Sequence, residues 1–262
     1  MITFAAIVPH SPLLIPNVGK DNLAKLKKTQ SAYELLAQKL ASEQVDALLV
    51  VSAHGQDEGN GFIINTRQSY EADYENFGDF GTRFSIDADL AMINELKCKN
   101  EIFLPIKLIS EKRLDHGLSI PLFFLTKYKK NLRFVPINCR RNDNKINIEF
   151  GKAIKEASFS INKKIGLIIS GDLSHRLTYN SIAGFSPQAK EFDKKIIQNL
   201  KKKNWEAITN TSEETIAESA PCVLDGLGVL FGAIGKMNYE FEVLSYESPF
   251  GIGYLVGNFK FN

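Results

Sequence analysis

The sequence predicts a single α/β domain over residues 1–262: a central, mostly parallel or mixed sheet flanked by helices, with a site at the C-terminal edge of the strands. Three observations predict it. Apolar runs of strand length alternate with stretches of helical periodicity along the whole chain. The 262 residues contain no internal repeat and no Pro/Ser/Gly-rich linker, and that length suffices for one large core. Three of the four histidines follow an apolar run almost at once.

ITFAAIV (2–8) reads as a buried strand. A helix follows over 21–43, with Leu23, Leu26, Tyr33, Leu36 and Leu40 at helical spacing and Asp21 as its N-cap. DALLVVSA (46–53) is the second strand and GFIINT (61–66) the third. NFGDFGTRF (76–84) is glycine-spaced and reads as a flexible loop placed to cover a crevice. A short helix is expected over 87–97, capped at Ile86–Asp87. IFLPIKLIS (102–110) and LRFVPINC (132–139) are strand-like, each with a proline that predicts an edge or a bend. Residues 118–129 and 147–160 read as helices, and KIGLIIS (164–170) is the clearest strand. Helices at 187–202, 203–210 and 221–236 come next, and FEVLSYES and GYLVGNFKF close the chain as strands.

With 44% apolar and 24% charged residues, the composition is that of a soluble globular protein. The formal net charge is +2, and the lysines stand singly or in short groups such as KKK (201–203). Such groups make a solvated helix face, so no nucleic-acid partner is expected. No apolar run approaches the ~20 residues of a membrane span. Cys98, Cys139 and Cys222 are odd in number and widely spaced, which indicates no disulfide framework. The N-terminus runs into ITFAAIVP without a basic leader, so a cytoplasmic, reducing setting is the expectation.

Ligands of open α/β sheets bind beyond the carboxyl ends of the strands. His10 follows ITFAAIVP, His54 follows DALLVVSA and His175 follows KIGLIISGDLS. If those strands are parallel neighbours, the three histidines meet in one crevice. His116 lies in RLDHGLSIPLFFL, a polar loop feeding an apolar helix. One histidine after a strand is ordinarily a hydrogen-bonded loop residue, but four unrelated ones would not gather in this way. Imidazole binds metals and titrates near neutrality, so the group points to a metal, proton transfer or both. If two histidines bind the metal, ESAPCVLDGLGVL (218–230) offers two candidates for a third ligand. Pro221 at the first position of a helix would put Cys222 in its first turn, where the dipole lowers the thiol pKa. Glu218, just outside that helix, is the carboxylate option. The chain has no G-x-S-x-G elbow, Walker loop or C-x-x-C pair, and GIGYLVG lacks the following helix of a dinucleotide fingerprint.

Four stretches, VPHSPLLIPNVG (8–19), VVSAHG (50–55), LDHGLSIPLFFL (114–125) and ISGDLSHRL (169–177), absorb every histidine. Together and in this order, the chain resembles the class III extradiol dioxygenase superfamily, of the protocatechuate 4,5-dioxygenase catalytic-subunit type. The closest likeness is to the branch in AmmeMemoRadiSam system proteins, which includes the Memo proteins. The resemblance implies that His10 and His54 are metal ligands, that His175 is the acid/base near the substrate, and that His116 contacts substrate or oxygen. Ring-cleaving members use a glutamate as third ligand, whereas the Memo branch has a cysteine there, and Cys222 is the matching residue.

Two functions follow. The first is an iron(II)-dependent extradiol-type dioxygenase acting on a small, catechol-like aromatic. The second is a non-catalytic metal- or partner-binding protein of the Memo kind, working as a homo-oligomer or with other AmmeMemoRadiSam proteins. Zinc or copper also suits a thiolate site, and a zinc hydrolase needs only the same residues.

Overall fold

The computed structural model describes residues 1–55, 61–100, 103–129, 131–140 and 143–262. Strands β1 (Ile2–Val8), β2 (Ala47–Ser52), β3 (Gly61–Asn65), β6 (Ile106–Ile109), β7 (Arg133–Arg140), β8 (Ile165–Ser170), β9 (Tyr239–Glu247) and β10 (Tyr254–Phe261) form one sheet. Its order is β6-β3-β7-β2-β8-β1-β10-β9. The four central strands β7, β2, β8 and β1 run parallel, and both flanks join them antiparallel, through β3 and β10. The mixed sheet expected from the sequence is thus what forms.

The central strands are apolar at almost every position because helices cover both of their faces. Every residue of β2 and of β8 is buried. Around the sheet pack α1 (Pro16–Gly19), α2 (Lys27–Ser42), α3 (Leu90–Asn100), α4 (His116–Leu125), α5 (Asn144–Ser160), α6 (Ala189–Lys202), α7 (Trp205–Thr209), α8 (Glu213–Ser219) and α9 (Leu224–Ile234). Of the predicted stripe, Leu26, Tyr33, Leu36 and Leu40 are fully buried, whereas Leu23 in the 3-10 turn is half-buried. Among the described residues no helix is long and apolar enough to cross a membrane.

Several boundaries depart from the sequence reading. The helix expected over 21–43 opens as a 3-10 turn, Lys20–Leu26, so Asp21 lies inside that turn and does not cap α2. The helix expected from Asp87 starts at Leu90, because Asp87 ends a strand and the Asp89 carboxylate accepts the Met92 N–H instead. NFGDFGTRF is no loop: β4 (Ser69–Tyr74) and β5 (Asp79–Asp87) pair as a hairpin, with the 3-10 turn Glu75–Phe77 between them. Within IFLPIKLIS only Ile106–Ile109 pairs, at the sheet edge, and Ile102 lies outside the described residues. LRFVPINC is an interior strand despite its proline. Pro136 pairs with Val50 of β2, and the ladder to β3 begins one residue later, at Ile137.

Strand register is what positions the site. Val8, Ser170 and Ser52 stand in one row across β1, β8 and β2. Each of the three strands ends on that row. Two residues beyond it stand His10, Asp172 and His54.

Candidate metal centre

His10 is the most enclosed of the histidines, 2% exposed. Tyr33 of α2 donates to the Pro9 carbonyl and so fixes the chain just before it. Its Nδ1 lies 3.1 Å from Ser170 Oγ, and the Ser170 hydroxyl donates to the Gly117 carbonyl. With that proton committed, Ser170 accepts from His10 Nδ1–H, and Nε2 is left with its lone pair. Burial, with help from His116 and His175, holds the His10 pKa at about 3, so this ring is neutral at physiological pH.

His54 Nε2 lies 2.9 Å from His10 Nε2. Its loop is tied down from both sides: its N–H donates to Ser52 Oγ, and Asn138 of β7 donates to its carbonyl. The Asn138 amide also bonds Asp115, which caps α4 by accepting the Leu118 N–H. This link brings His116, the first residue of α4, against His54 with ring centroids 4.4 Å apart. Gly117 is required here, since a Cβ would stand 2.1 Å from Ser52 Oγ. Burial lowers the His116 pKa, against the pull of Asp115 and Asp172.

Cys222 closes the third side, with Sγ 3.5 Å from His10 Nε2. It is not in the first turn of a helix. Helix α9 begins at Leu224 with Val223 as its N-cap, and Cys222 lies before it, bound to the loop after β8. The Cys222 N–H donates to the Asp172 carbonyl, and the Asp172 N–H donates to Sγ. A Cβ on Gly171 would stand 2.7 Å from Val223 Cα, so glycine is what lets the two segments approach. The expected lowering of the thiol pKa is reversed: burial pushes it up, and the Asp172 carboxylate adds to the effect. Glu218 belongs to α8, where its carboxylate accepts from Ser186 Oγ at 2.7 Å.

His175 donates through Nδ1 to the Ala220 carbonyl at 2.7 Å, which leaves Nε2 as the basic nitrogen. Ala220 ends α8 in the left-handed region, φ 48°, and this turn presents its carbonyl to the ring. Asp172, which the sequence reading passed over, is 3% exposed and lies between the histidines. One carboxylate oxygen accepts the His10 N–H, while the other is 3.7 Å from His10 Nε2 and 3.8 Å from His175 Nε2. Burial raises its pKa to about 6. Its only signal in the sequence is the Gly-Asp pair directly after the strand.

Among the described residues, ligand atoms of His10, His54 and Cys222 lie within 4.8 Å of one another, and so do those of Asp172, His175 and Cys222. Glu218 is in neither group. Two nitrogens about 2.1 Å from one ion stand about 3.0–3.4 Å apart between right-angled and tetrahedral geometry, and a nitrogen and a thiolate sulfur about 3.1–3.6 Å. The nitrogen–sulfur separation of 3.5 Å falls in this range, and the nitrogen–nitrogen separation of 2.9 Å is about 0.1 Å short of it, close to the spacing of a shared ion.

Beside His54 and His116 opens a cleft of about 730 Å³, lined by Asn65, Asp73, Phe77, Arg113 and Asn138 among others. Phe77 comes from the hairpin and meets the His116 ring edge-on at 5.6 Å.

The sequence profile of the family described as the catalytic LigB subunit of aromatic ring-opening dioxygenase matches residues 4–257. The chain belongs to this family. Members of the LigB family are metal-dependent, and the His/Cys group is the candidate metal-binding group of this member. The family resemblance carried by the four histidine-containing stretches is thereby borne out. Protein CA_C1420 of Clostridium acetobutylicum is 27% identical over 260 residues, covering 95% of this LigB-family chain and 55% of that protein. The chain thus spans about half the length of the curated relative it matches. The crystal structure of an uncharacterized protein, JW3007 from Escherichia coli K12, shares the fold with a TM-score of 0.68 and 17% identity. It is covered over 99% of its length by 98% of this chain.

Proposed function

We propose that this LigB-family protein is a metal-dependent oxidoreductase of the extradiol ring-cleavage type. It holds non-haem iron(II) at His10, His54 and Cys222 and acts on a small catechol-like aromatic. The observation that carries the reading is the meeting of two imidazole Nε2 atoms 2.9 Å apart with a thiol sulfur at 3.5 Å, in a chain of the ring-opening family. Iron, when bound, supplies the redox chemistry between dioxygen and the ring. The protein's own groups do the rest. His175, basic at Nε2, takes the phenolic proton and later returns it, a task suited to imidazole. His116 and Phe77 wall the cleft where an aromatic ring enters, and Asn138 holds His54 and the start of α4 in place. A reducing, cytoplasmic location suits a centre with a thiol ligand, and none of the three cysteines is in a disulfide.

Cys222 itself favours a second reading. With a thiol in the place of a carboxylate, the same residues suit zinc or copper, in a non-catalytic metal-binding protein or a zinc hydrolase. Its partners would then be a second copy or other AmmeMemoRadiSam proteins. Anaerobic purification with metal analysis, followed by oxygen uptake over a panel of catechols, separates these readings. The first expects about one iron per chain and catechol-dependent oxygen consumption. A full complement of zinc without oxygen uptake moves the second ahead.

A further inference from the structure

We propose that the centre has a second metal position, formed by Asp172, His175 and Cys222, and that an ion there switches proton transfer off. Cys222 belongs to both donor groups, and its sulfur has lone pairs for two ions. The three residues are already built as a set. Asp172 and Cys222 are joined by reciprocal bonds, Cys222 N–H to the Asp172 carbonyl and Asp172 N–H to Sγ at 3.1 Å. The His175 backbone N–H donates to the Ser219 carbonyl and its Nδ1 to the Ala220 carbonyl, which aims the Nε2 lone pair inward. The free oxygen of Asp172 stands 3.8 Å from that nitrogen, beyond hydrogen-bond reach. A cation about 2.1 Å from each would bridge that gap at an angle of about 130°, wider than tetrahedral. Carboxylate, imidazole and thiolate together suit zinc, cobalt(II) or iron(II).

The consequence is regulatory. His175 Nε2 is the lone pair that accepts the substrate's proton, and an ion bound to it removes that base. Excess divalent metal therefore inhibits by filling the second position. This rests on the reading of His10, His54 and Cys222 as the first position and of His175 as the proton carrier.

The test is titration of metal-free protein with Zn²⁺ alone, by calorimetry, with bound zinc counted after gel filtration. Wild type is expected to bind two equivalents, the second more weakly, and Asp172→Asn and His175→Gln one each. With Co²⁺, the second equivalent is expected to shift the sulfur charge-transfer band of the first, because the thiolate is shared, and the shift is absent in both variants. A single equivalent in wild type, lost in His54→Ala, overturns the second position and leaves the first intact. A second equivalent that survives both substitutions is adventitious surface zinc and also overturns it. Tight binding that persists in His54→Ala overturns the first position and the proposal with it.

Discussion

Ser170 Oγ stands 3.1 Å behind Nδ1 of His10 and donates its own hydrogen bond to the Gly117 carbonyl. The last residue of β8 thereby selects the tautomer of a residue after β1 and anchors the first turn of α4. Ser170→Ala removes the acceptor that holds His10 with Nε2 forward. Metal affinity is expected to fall about 10- to 100-fold, the usual effect of losing a partner behind a ligating histidine. A chelator-competition titration reads it. An unchanged affinity would show that the tautomer is set elsewhere.

His10→Ala and His54→Ala are each expected to abolish tight metal binding while the fold survives, as read by metal analysis and circular dichroism. His175→Gln keeps the first ion, since His175 lies outside the His10, His54 and Cys222 group. Its turnover of any catechol that proves to be a substrate should drop roughly 10²–10⁴-fold, as for loss of a general acid/base. Loss of the tight ion in His175→Gln would reassign it as a ligand of the first ion.

Cys222 and Glu218 part company in the structure, and their variants should as well. Glu218→Gln is expected to leave metal content unchanged, because the carboxylate is engaged with Ser186 on α8. Cys222→Ser should lose the near-ultraviolet sulfur-to-cobalt band. Burial keeps the Cys222 thiol protonated at neutral pH, whereas His10, with a pKa of about 3, is already neutral there. Binding therefore expels the thiol proton, and affinity is expected to rise with pH. Calorimetry in buffers of different ionisation enthalpy counts that proton, and Cys222→Ser should release none from this position.

The parts of the centre legible in the sequence are those fixed by register. Apolar runs of strand length place Val8, Ser52 and Ser170 at strand ends, and a histidine two residues past the first two is visible without coordinates. Asp172 occupies the same offset after β8, yet Gly-Asp after a strand reads as an ordinary turn, and its burial depends on packing from Cys222. Pro221 fits the first position of a helix, so local sequence places the start of α9 three residues too early. The clamp of 219–222 onto 172–175 holds that segment out of helical conformation until Leu224. Glycines in NFGDFGTRF hid a hairpin whose pairing is set by Tyr70, Ala72 and Tyr74, all buried on one face of β4. In each case a tertiary contact overrode a local preference.

Asp193 of α6 lies beneath the turn that carries His175. Its carboxylate accepts the Ser174 N–H at 2.8 Å and the Tyr246 hydroxyl at 2.6 Å. Burial nonetheless raises its pKa to about 6, against an ordinary value of about 3.9. The folded state thus holds this proton more tightly than the unfolded chain does. The resulting stabilisation is complete below the ordinary carboxylate pKa and is lost as pH rises through about 6. Asp193→Asn keeps an oxygen for the Ser174 N–H and removes the charge. Relative to wild type, the variant should therefore gain roughly 1–3 kcal/mol between pH 4 and pH 7.5. Urea denaturation at both pH values measures the change. Two stability profiles that run parallel across this window would show that water or a neighbouring group solvates the Asp193 charge, and that burial at this position has no hold on the turn bearing His175.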